Sequence, residues 1–388
     1  MFLEEVRQHL TKDLIPYWEG LKDKEYGGYY GVVDHDLKIH PEADKGGILN
    51  SRILWFFSNC ATALGSAACL EDAGQAYRML RDHFLDREYG GIYWSVTYDG
   101  KPADTQKHSY NQAFAIYGLS SYYEASKDEE ARELALGLYR LVEEKMKDDR
   151  GYLEAFNRDL TPADNAKLAS GTLAARTMNS LLHLLEAYTE LYRVTKDPDV
   201  RNSVCFMLDI VAEHIYNPEK RRLECFFTDD YQSLVSVHSY GHDIEASWLV
   251  ERSLEILQDP AYTEKVKPAL VSIMNNTLAT GFAGNYLYNE CHEGVQDKTA
   301  VWWVQAETVV ALLNAYRNFP EEKGFYEKAE AVWGFIRDQM IDRRPGCGEW
   351  ISEIKEDGND RGLDLVNAWK CPYHNGRMCL ETMKRLGV

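Results

Sequence analysis

Two kinds of helix alternate along the chain, and the spacing of apolar residues distinguishes them. In one kind the apolar residues recur every three to four positions and leave one polar face. In the other kind they cover almost every side, which is typical of a buried helix. We therefore predict an outer layer formed by Phe2–Leu21, Glu71–Arg87, Asp128–Lys147, Asp197–Tyr216, Asp259–Ala279 and Glu321–Arg343. The predicted inner layer is Leu49–Gly65, His108–Ala125, Thr172–Val194, Tyr240–Leu257, Ala300–Asn318 and Asn375–Leu386.

A short segment that combines a turn with aromatic and β-branched residues recurs six times, at intervals of 60 to 72 residues. The six segments begin at Gly28, Gly91, Gly151, Leu223, Gly284 and Gly348. Such a period indicates one structural unit that is repeated six times. Pairing the first outer helix with the last inner helix gives about twelve helices in six hairpins. We predict a closed all-α ring, an (α/α)6 barrel, with short β-hairpin-like loops at one end. An open superhelix is the alternative, but polar capping repeats are not evident.

Composition narrows the class of protein. No linker or low-complexity tract divides the chain, so we expect a single domain over residues 1–388. The formal net charge of −19 argues against a nucleic-acid-binding protein, which needs a basic surface. With 45% hydrophobic and 12% aromatic residues, the chain is typical of a globular enzyme rather than a disordered protein.

Three features indicate a cytoplasmic protein without a membrane anchor. The acidic residues within Met1–Arg7 do not fit a signal peptide. Ile53–Leu70 lacks charged residues, but it contains several polar ones, and we interpret it as a buried core helix. The eight cysteines form no CxxC motif, which favours reduced thiols.

Polar and aromatic residues interrupt the inner helices near their N-terminal ends or in the loops before them. Parallel inner helices would bring these positions to one mouth of the barrel, where a pocket is expected. A single buried histidine is usually a core residue, whereas four histidines at corresponding helix ends favour a functional site. The residues are Arg52, His108, Tyr110, Asn179, His183, His238, His242, Glu245, Trp302, Trp303, Glu307, Trp369, Tyr373 and His374.

A metal site is one alternative for part of this set. His238, His242 and Glu245 have spacings that can place ligands on one face of a helix. There is no HExxH motif, however, and Gly241 interrupts the segment. We therefore predict no metal ligand here.

Several blocks of sequence resemble the cellobiose 2-epimerases of the N-acylglucosamine 2-epimerase superfamily, and the similarity extends along essentially the whole chain. The blocks are Asn50–Trp55, Met178–Asn179, Leu182–Tyr188, His238–Ala246, Val301–Glu307 and Trp369–Arg377. The blocks around His242 and His374 are the longest and most specific.

This resemblance implies an (α/α)6 barrel that inverts C2 of the reducing-end glucose in β-1,4-linked disaccharides, without a metal or organic cofactor. It implies that His242 and His374 are the acid/base pair, and that Arg52 and His183 hold the oxygens of the intermediate. Tyr110, Asn179, Glu245, Trp303 and Trp369 would line the sugar site. We also assign His108 and Glu307 to substrate binding, and we expect a monomer whose partner is a small disaccharide.

The chemistry of epimerisation agrees with these residue types. A histidine that titrates near neutrality can remove and return a proton at C2, and Arg52 can stabilise the negative charge on an enediolate. The related alternatives are an aldose–ketose isomerase and an epimerase of monosaccharides such as N-acylglucosamine or mannose. An inverting glycosidase would use two acids from Glu154, Asp243, Glu245, Glu307 and Glu349. A carbohydrate- or protein-binding module with tryptophan platforms is the non-enzymatic alternative.

Overall fold

The computed structural model describes residues 1–168, 171–319 and 324–387, and helices dominate this part of the chain. The α-helices are α1 (Phe2–His9), α2 (Ile15–Gly20), α3 (Gly47–Leu64), α4 (Ala67–Met79), α5 (Ser109–Ser126), α6 (Glu129–Lys145), α7 (Met178–Thr195), α8 (Pro198–Ile210), α9 (Tyr240–Leu257), α10 (Pro260–Gly281), α11 (Trp302–Asn318), α12 (Phe325–Phe335) and α13 (His374–Leu386). One π-helical segment, Leu10–Leu14, joins α1 to α2 as one rod. Three others extend α4, α8 and α12: Leu80–Phe84, Val211–Ile215 and Ile336–Met340.

The inner helices form a closed ring, as the sequence predicts. Helices α3, α5, α7, α9, α11 and α13 pack in that order, and α13 packs against α3 to complete the circle. Helix α13 also packs against α1, so the first outer helix pairs with the last inner helix. The (α/α)6 barrel is therefore confirmed, and the open superhelix is excluded.

Two predicted helix boundaries need comment. Helix α7 begins at Met178 and not at Thr172, because Arg176 and Thr177 form a strand that pairs with Phe226–Phe227. The Thr177 side chain then caps the helix by accepting a hydrogen bond from the Ser180 backbone N–H. The first three residues of the predicted outer helix at 321–343 lie outside the described residues.

The six repeated segments occupy equivalent places. Each segment forms an antiparallel bridge with the residue at the end of the preceding outer rod, so the chain turns back toward the ring at that point. The pairs are Lys22 with Tyr29, Leu85 with Ile92, Lys147 with Tyr152, Tyr216 with Leu223, Phe282 with Leu287 and Ile341 with Trp350. The sixfold period therefore reflects one turn that follows each outer helix.

Short antiparallel strands surround the N-terminal ends of the inner helices and form small sheets of two or three strands. The strands are β1 (Lys45–Gly46), β2 (Ser95–Val96), β3 (Pro102–Asp104), β4 (Lys107–His108), β5 (Ala155–Phe156), β6 (Pro162–Ala163), β7 (Arg176–Thr177), β8 (Tyr216–Asn217), β9 (Arg222–Leu223), β10 (Phe226–Phe227), β11 (Val237–Ser239), β12 (Glu290–His292), β13 (Val295–Asp297), β14 (Ala300–Val301) and β15 (Glu353–Ile354). The pairings are β1-β2-β3, β4-β5-β6, β10-β7, β8-β9, β11-β12-β13 and β14-β15.

Ion pairs fix the N-terminal ends of three inner helices. A basic residue just before each helix bonds to an aspartate that follows the preceding outer rod: Lys45 with Asp23 at 2.7 Å, Lys107 with Asp86 at 2.9 Å and Arg176 with Asp148 at 2.6 Å. Both partners are buried in the first two pairs. Breaking a buried ion pair costs free energy. These contacts therefore stabilise the end of the barrel at which the polar residues of the inner helices lie.

Two further expectations concern the cysteines and the apolar segment. All eight cysteines are unpaired thiols. Ile53–Leu70 spans most of α3, the turn after it and the start of α4. Its α3 part is mainly buried in the barrel up to Ala61, whereas Thr62 and Ala63 are exposed. Within the described ranges, no helix is both long and apolar enough to cross a membrane.

Candidate active site

An open cavity with an empty volume of about 1040 Å³ lies at the mouth of the barrel, at the N-terminal ends of the inner helices. Nine of the eleven predicted site residues line it: Arg52, Tyr110, Asn179, His183, His242, Glu245, Trp303, Trp369 and His374. They come from α3, α5, α7, α9, α11, α13 and the loop before α13. The ring therefore brings together residues that are far apart in the sequence.

Arg52 has a cavity-facing position without a carboxylate partner in the described part of the chain. Its guanidinium donates to the Tyr110 hydroxyl at 2.9 Å and to the Trp369 carbonyl oxygen at 3.1 Å. The Phe114 ring lies below it, with 4.1 Å between Cζ and the ring centroid. All of these partners are neutral. The positive charge of Arg52 is consequently available to a ligand.

His374 is held by a carboxylate from the neighbouring inner helix. Its Nδ1 lies 2.7 Å from Oε1 of Glu307, and the other oxygen of Glu307 accepts the indole N–H of Trp248 at 3.0 Å. Because a carboxylate accepts hydrogen bonds, Nδ1 carries the proton and Nε2 keeps its lone pair. His374 is thus oriented as a base, and Glu307 can stabilise its protonated form.

His183 has a similar arrangement within one helix. Its Nδ1 lies 2.9 Å from Oε2 of Glu186, one turn further along α7, and the Tyr373 hydroxyl donates to Glu186 at 2.6 Å. The same reasoning leaves Nε2 of His183 without the proton. Two histidine–carboxylate pairs therefore stand on different sides of the cavity.

Arg377 connects these pairs at the base of the site. Its guanidinium bonds to Glu186, to Glu245 and, at 2.7 Å, to Glu307. The three carboxylates belong to α7, α9 and α11, and Arg377 belongs to α13. All four side chains are buried. One cation thus joins four inner helices below the reactive side chains.

His242 has a neutral partner instead of a carboxylate. Its Nδ1 lies 2.7 Å from the Ser239 hydroxyl, and its ring is 4.9 Å from that of Trp303. His238 does not join it: the His238 ring bonds to Asp243 at 2.9 Å, and Asp243 also accepts the Leu223 backbone N–H. The structure therefore brings no metal site together from His238, His242 and Glu245.

The pKa values of the cavity histidines are lowered, which favours uncharged rings at neutral pH. Burial lowers the pKa of His242 to about 3, with His183 adding to the effect. Burial also lowers the pKa of His374, and Arg377 lowers it further. For His183, burial lowers the pKa although Glu186 opposes the shift. A neutral imidazole has the lone pair that a base needs, but these lowered pKa values correct the expectation of histidines that titrate near neutrality, because burial makes each a weaker base in the free enzyme.

Aromatic rings line the mouth of the cavity. The Trp303 ring lies 5.6 Å from that of His374, and Trp369, which is 38% exposed, lies 5.9 Å from Tyr110. A second cavity of about 800 Å³ adjoins the first, and Asn179 and His242 line both. Oδ1 of Asn179 has no protein partner within the described residues. The two cavities together provide room and polar contacts for more than one ring.

The structure does not bring His108 or Glu307 to the cavity wall. His108 is fully buried behind Trp94, and the centroids of the two rings are 4.8 Å apart. Burial lowers the pKa of His108 to about 4. Glu307 does not line the cavity; its Oε1 lies 2.7 Å from Nδ1 of His374, so it contacts the histidine and not the cavity. Neither side chain is placed to touch a ligand in the cavity.

The carboxylates proposed for a glycosidase are mostly used elsewhere. Glu154 bonds to Thr177 and Ser180, and Glu349 bonds to Trp18 and Lys370. Of the five proposed acids, Glu245 alone lines the main cavity, where Arg377 holds it. The other four do not line it, so these five acids do not supply a pair of carboxylates on opposite sides of a glycosidic bond.

One cluster, Glu245, Glu307 and His374, has ligand atoms close enough to share a cation. Arg377 donates to both of these carboxylates, and its guanidinium already supplies positive charge at that point. A metal ion would have to displace it. We therefore assign no metal ligands.

Sequence reasoning missed the supporting residues, although one spacing could have identified them. Glu186 follows His183 by three positions, and Arg377 follows His374 by three, as Glu245 follows His242. Residues three apart share a helix face, so each second residue lies one turn deeper in the barrel. Ser239 lies three positions before His242, but it precedes α9, so their contact depends on the turn from β11 into α9 and not on a shared helix face.

Comparisons with known proteins agree with this geometry. The family model described as N-acylglucosamine 2-epimerase (GlcNAc 2-epimerase) matches residues 28–376. A cellobiose 2-epimerase of Ruminococcus albus is 44% identical over 387 residues, which cover 99% of each chain. The crystal structure of a sugar epimerase from a ruminal bacterium superposes with a TM-score of 0.97 at 44% identity, covering 100% of both chains. Cellobiose 2-epimerase from Bacillus thermoamylovorans B4167 gives a TM-score of 0.95 at 39% identity, covering 99% of both.

Proposed function

Because this chain belongs to the N-acylglucosamine 2-epimerase family, we propose that it is a carbohydrate 2-epimerase that interconverts cellobiose and glucosylmannose, and lactose and epilactose. The observation that carries the proposal is the cavity itself. It presents three neutral histidines from separate inner helices together with Arg52, a buried cation whose protein partners are all neutral. Full-length identity of 44% to a cellobiose 2-epimerase supports the disaccharide as substrate.

The reaction needs a base, an acid and stabilisation of negative charge. Once the hemiacetal has opened, Nε2 of one histidine removes the C2 proton, and the bonding electrons form a C1–C2 double bond with negative charge on O1. A protonated histidine on the other face then returns a proton to C2, and the carbonyl is restored. His242 and His374 are the acid/base pair in this proposal.

Protonation states fit this sequence of steps. A neutral histidine can accept either of two protons, from the O1 hydroxyl as the ring opens or from C2. The proton taken from the O1 hydroxyl passes on to the ring oxygen, which needs it to leave as a hydroxyl group. The histidine that removes the C2 proton later releases it to water, and the histidine on the other face takes from water the proton that it gives to C2. Glu307 stabilises the imidazolium form of His374, since it lies 2.7 Å from Nδ1. Arg52 and His183 contact O1 and O2, where the negative charge develops.

The remaining cavity residues bind the sugar rings in this proposal. Trp303 and Trp369 provide apolar faces, and Tyr110, Asn179 and Glu245 provide polar contacts. The adjoining cavity beyond Asn179 and His242 gives space for substituents of the reacting ring. We also propose that residues 1–388 form one catalytic domain, which needs no cofactor and acts as a monomer in the cytoplasm. Its unpaired cysteines support a reducing compartment.

Incubation with cellobiose in D₂O tests the reaction type. The expected product is glucosylmannose with deuterium at C2 of the reducing-end residue and an intact glycosidic bond, as read by mass spectrometry and proton NMR. His242→Ala and His374→Ala should each lower the rate by about 10²–10⁴-fold, because general acid–base catalysis contributes that much. His214→Ala, on an outer rod, is the matched control.

Other products would contradict the proposal. Release of glucose without carbon-bound deuterium would indicate a hydrolase, and accumulation of a ketose would indicate an aldose–ketose isomerase. Mannose or N-acetylglucosamine turned over in preference to cellobiose would indicate a monosaccharide epimerase. Near-normal turnover in both histidine variants would remove His242 and His374 from the mechanism.

A further inference from the structure

Three buried carboxylates share one guanidinium at the base of the cavity. Glu186, Glu245 and Glu307 all accept hydrogen bonds from Arg377, and each is at most 4% exposed. If all three were ionised, the cluster would hold two uncompensated negative charges away from water. Burial strongly disfavours that state, so the cluster must hold at least one more proton, and the lowered pKa values of His183 and His374 favour a carboxyl group as its site.

Two of the three have partners that favour the ionised form. Glu186 accepts from His183 and Tyr373, and Glu307 accepts from His374 and Trp248, in addition to Arg377. Burial raises the pKa of Glu307, but Arg377 and Trp248 oppose that shift. Donors directed at a carboxylate stabilise its charge.

Glu245 differs from both. Its Oε1 shares Nη2 of Arg377 with Glu307, and its Oε2 is buried without a hydrogen-bond partner in the described part of the chain. Burial and the adjacent Glu307 carboxylate hold the pKa of Glu245 well above its usual value. Glu245 lines the catalytic cavity, but its side chain is only 1% exposed, so a substrate must be seated at the base of the cavity to meet this unpartnered oxygen.

We propose that Glu245 acts as a neutral carboxylic acid, whose Oε2 hydroxyl donates a hydrogen bond to the substrate oxygen that becomes negative as C2 loses its proton. No proton is transferred from Glu245, so the acid is unchanged at the end of the cycle. A carboxylate at this position would repel the developing charge, whereas a preorganised O–H stabilises it. In ketosteroid isomerase, a protonated aspartate stabilises an enolate by donating a hydrogen bond in this way.

The titration of Glu245 depends on every charged or titratable group around it. Glu307 and Glu186 favour its neutral form, and Arg377 favours its ionised form. The lowered pKa values of His183, His242 and His374 favour neutral rings in the free enzyme, so these histidines add little charge near Glu245 before turnover. The groups that face the cluster are His183 and Glu186 from α7, His242 from α9, Glu307 from α11, His374 and Arg377 from α13, Tyr373 before it, Arg52 from α3 and Tyr110 from α5.

Substitutions of Glu245 can distinguish whether it acts as a neutral hydrogen-bond donor or as a carboxylate. Glu245→Gln keeps an N–H donor of similar shape, so its turnover should fall by no more than about tenfold, whereas Glu245→Ala should fall by about 10²–10³-fold. Because the ionised acid cannot donate, wild-type turnover should decline as the pH rises through the raised pKa of Glu245. That decline should be absent in Glu245→Gln. A glutamine variant as inactive as the alanine variant, or one with the wild-type alkaline decline, would overturn the proposal.

The role of Glu245 in turnover rests on the proposed function. A second measurement therefore tests its protonation without using activity. Infrared difference spectra at pH 7 should show the carbonyl band of a protonated carboxylic acid in the wild-type protein. This band should be lost in Glu245→Gln and kept in the matched control Glu224→Gln, because Glu224 is a buried glutamate outside the cluster and, in spite of burial, Lys220 and Arg222 lower its pKa. A missing wild-type band, or a band kept in Glu245→Gln, would refute a neutral Glu245. If cellobiose is not epimerised but the band behaves as expected, the proposed function fails and the protonated acid stands.

Discussion

The two buried arginines of the site, Arg52 and Arg377, have opposite surroundings. Arg377 contacts three carboxylates, while Arg52 contacts a phenol, a backbone carbonyl and an aromatic face. Both are at most 3% exposed. The charge of Arg377 is therefore compensated by the protein, and it holds the inner helices and their histidines in place. The charge of Arg52 is left for the substrate. Burial alone does not reveal which role an arginine has, whereas the charge of its partners does.

Removing Arg377 should have the largest effect. Arg377→Met leaves Glu186, Glu245 and Glu307 without a cation, and breaking a buried ion pair costs about 3–5 kcal/mol of unfolding free energy. Denaturant unfolding measures the loss. Arg337→Met is the matched control, because this arginine lies on the surface, where such pairs contribute about 0–1 kcal/mol. Equal stability in the two variants would show that the carboxylate cluster does not depend on Arg377.

Removing Arg52 should separate catalysis from stability. Arg52→Met deletes a buried cation without leaving a carboxylate unpaired, so we expect the unfolding free energy to change by less than about 2 kcal/mol. Turnover should fall by about 10²–10³-fold, the effect of losing one donor to an oxyanion. Steady-state kinetics measures the fall in turnover, and denaturant unfolding measures the change in unfolding free energy. A large loss of stability with normal turnover in the surviving folded protein would reverse the roles given to the two arginines.

A smaller effect is expected at the histidine that lacks a carboxylate. Ser239→Ala removes the Nδ1 partner of His242, and a hydrogen bond of about 0.5–1.5 kcal/mol corresponds to a two- to tenfold decrease in kcat. Ser247→Ala, on α9 together with His242, is the control, because the one hydrogen bond of that hydroxyl within the described residues goes to the Ile244 carbonyl. A decrease of 10²-fold or more would show that Ser239 does more than orient the ring.

The contrast between the arginines also shows how far the sequence could be interpreted. Periodicity predicts the two layers of helices, and the polar interruptions at the inner helix ends predict Arg52, His183, His242 and His374 at one mouth. Arg377 escaped this reasoning because its partners lie on three other helices, 70 to 191 positions away in the chain. His108 does not line the cavity: it lies in β4 just before α5, and its ring packs against Trp94, a contact that the position of His108 in the sequence does not reveal.

The closure of the ring by α13 has a consequence for the order in which the protein is made. Synthesis proceeds from the N-terminus, so Glu186, Glu245 and Glu307 leave the ribosome before Arg377 exists. Until α13 docks between α11 and α3, the three acids have no shared cation and must stay hydrated or protonated. Neutralisation of the acids, arrival of His374 and completion of the barrel are therefore a single event. A nascent chain that lacks this helix has neither a finished core nor a working site.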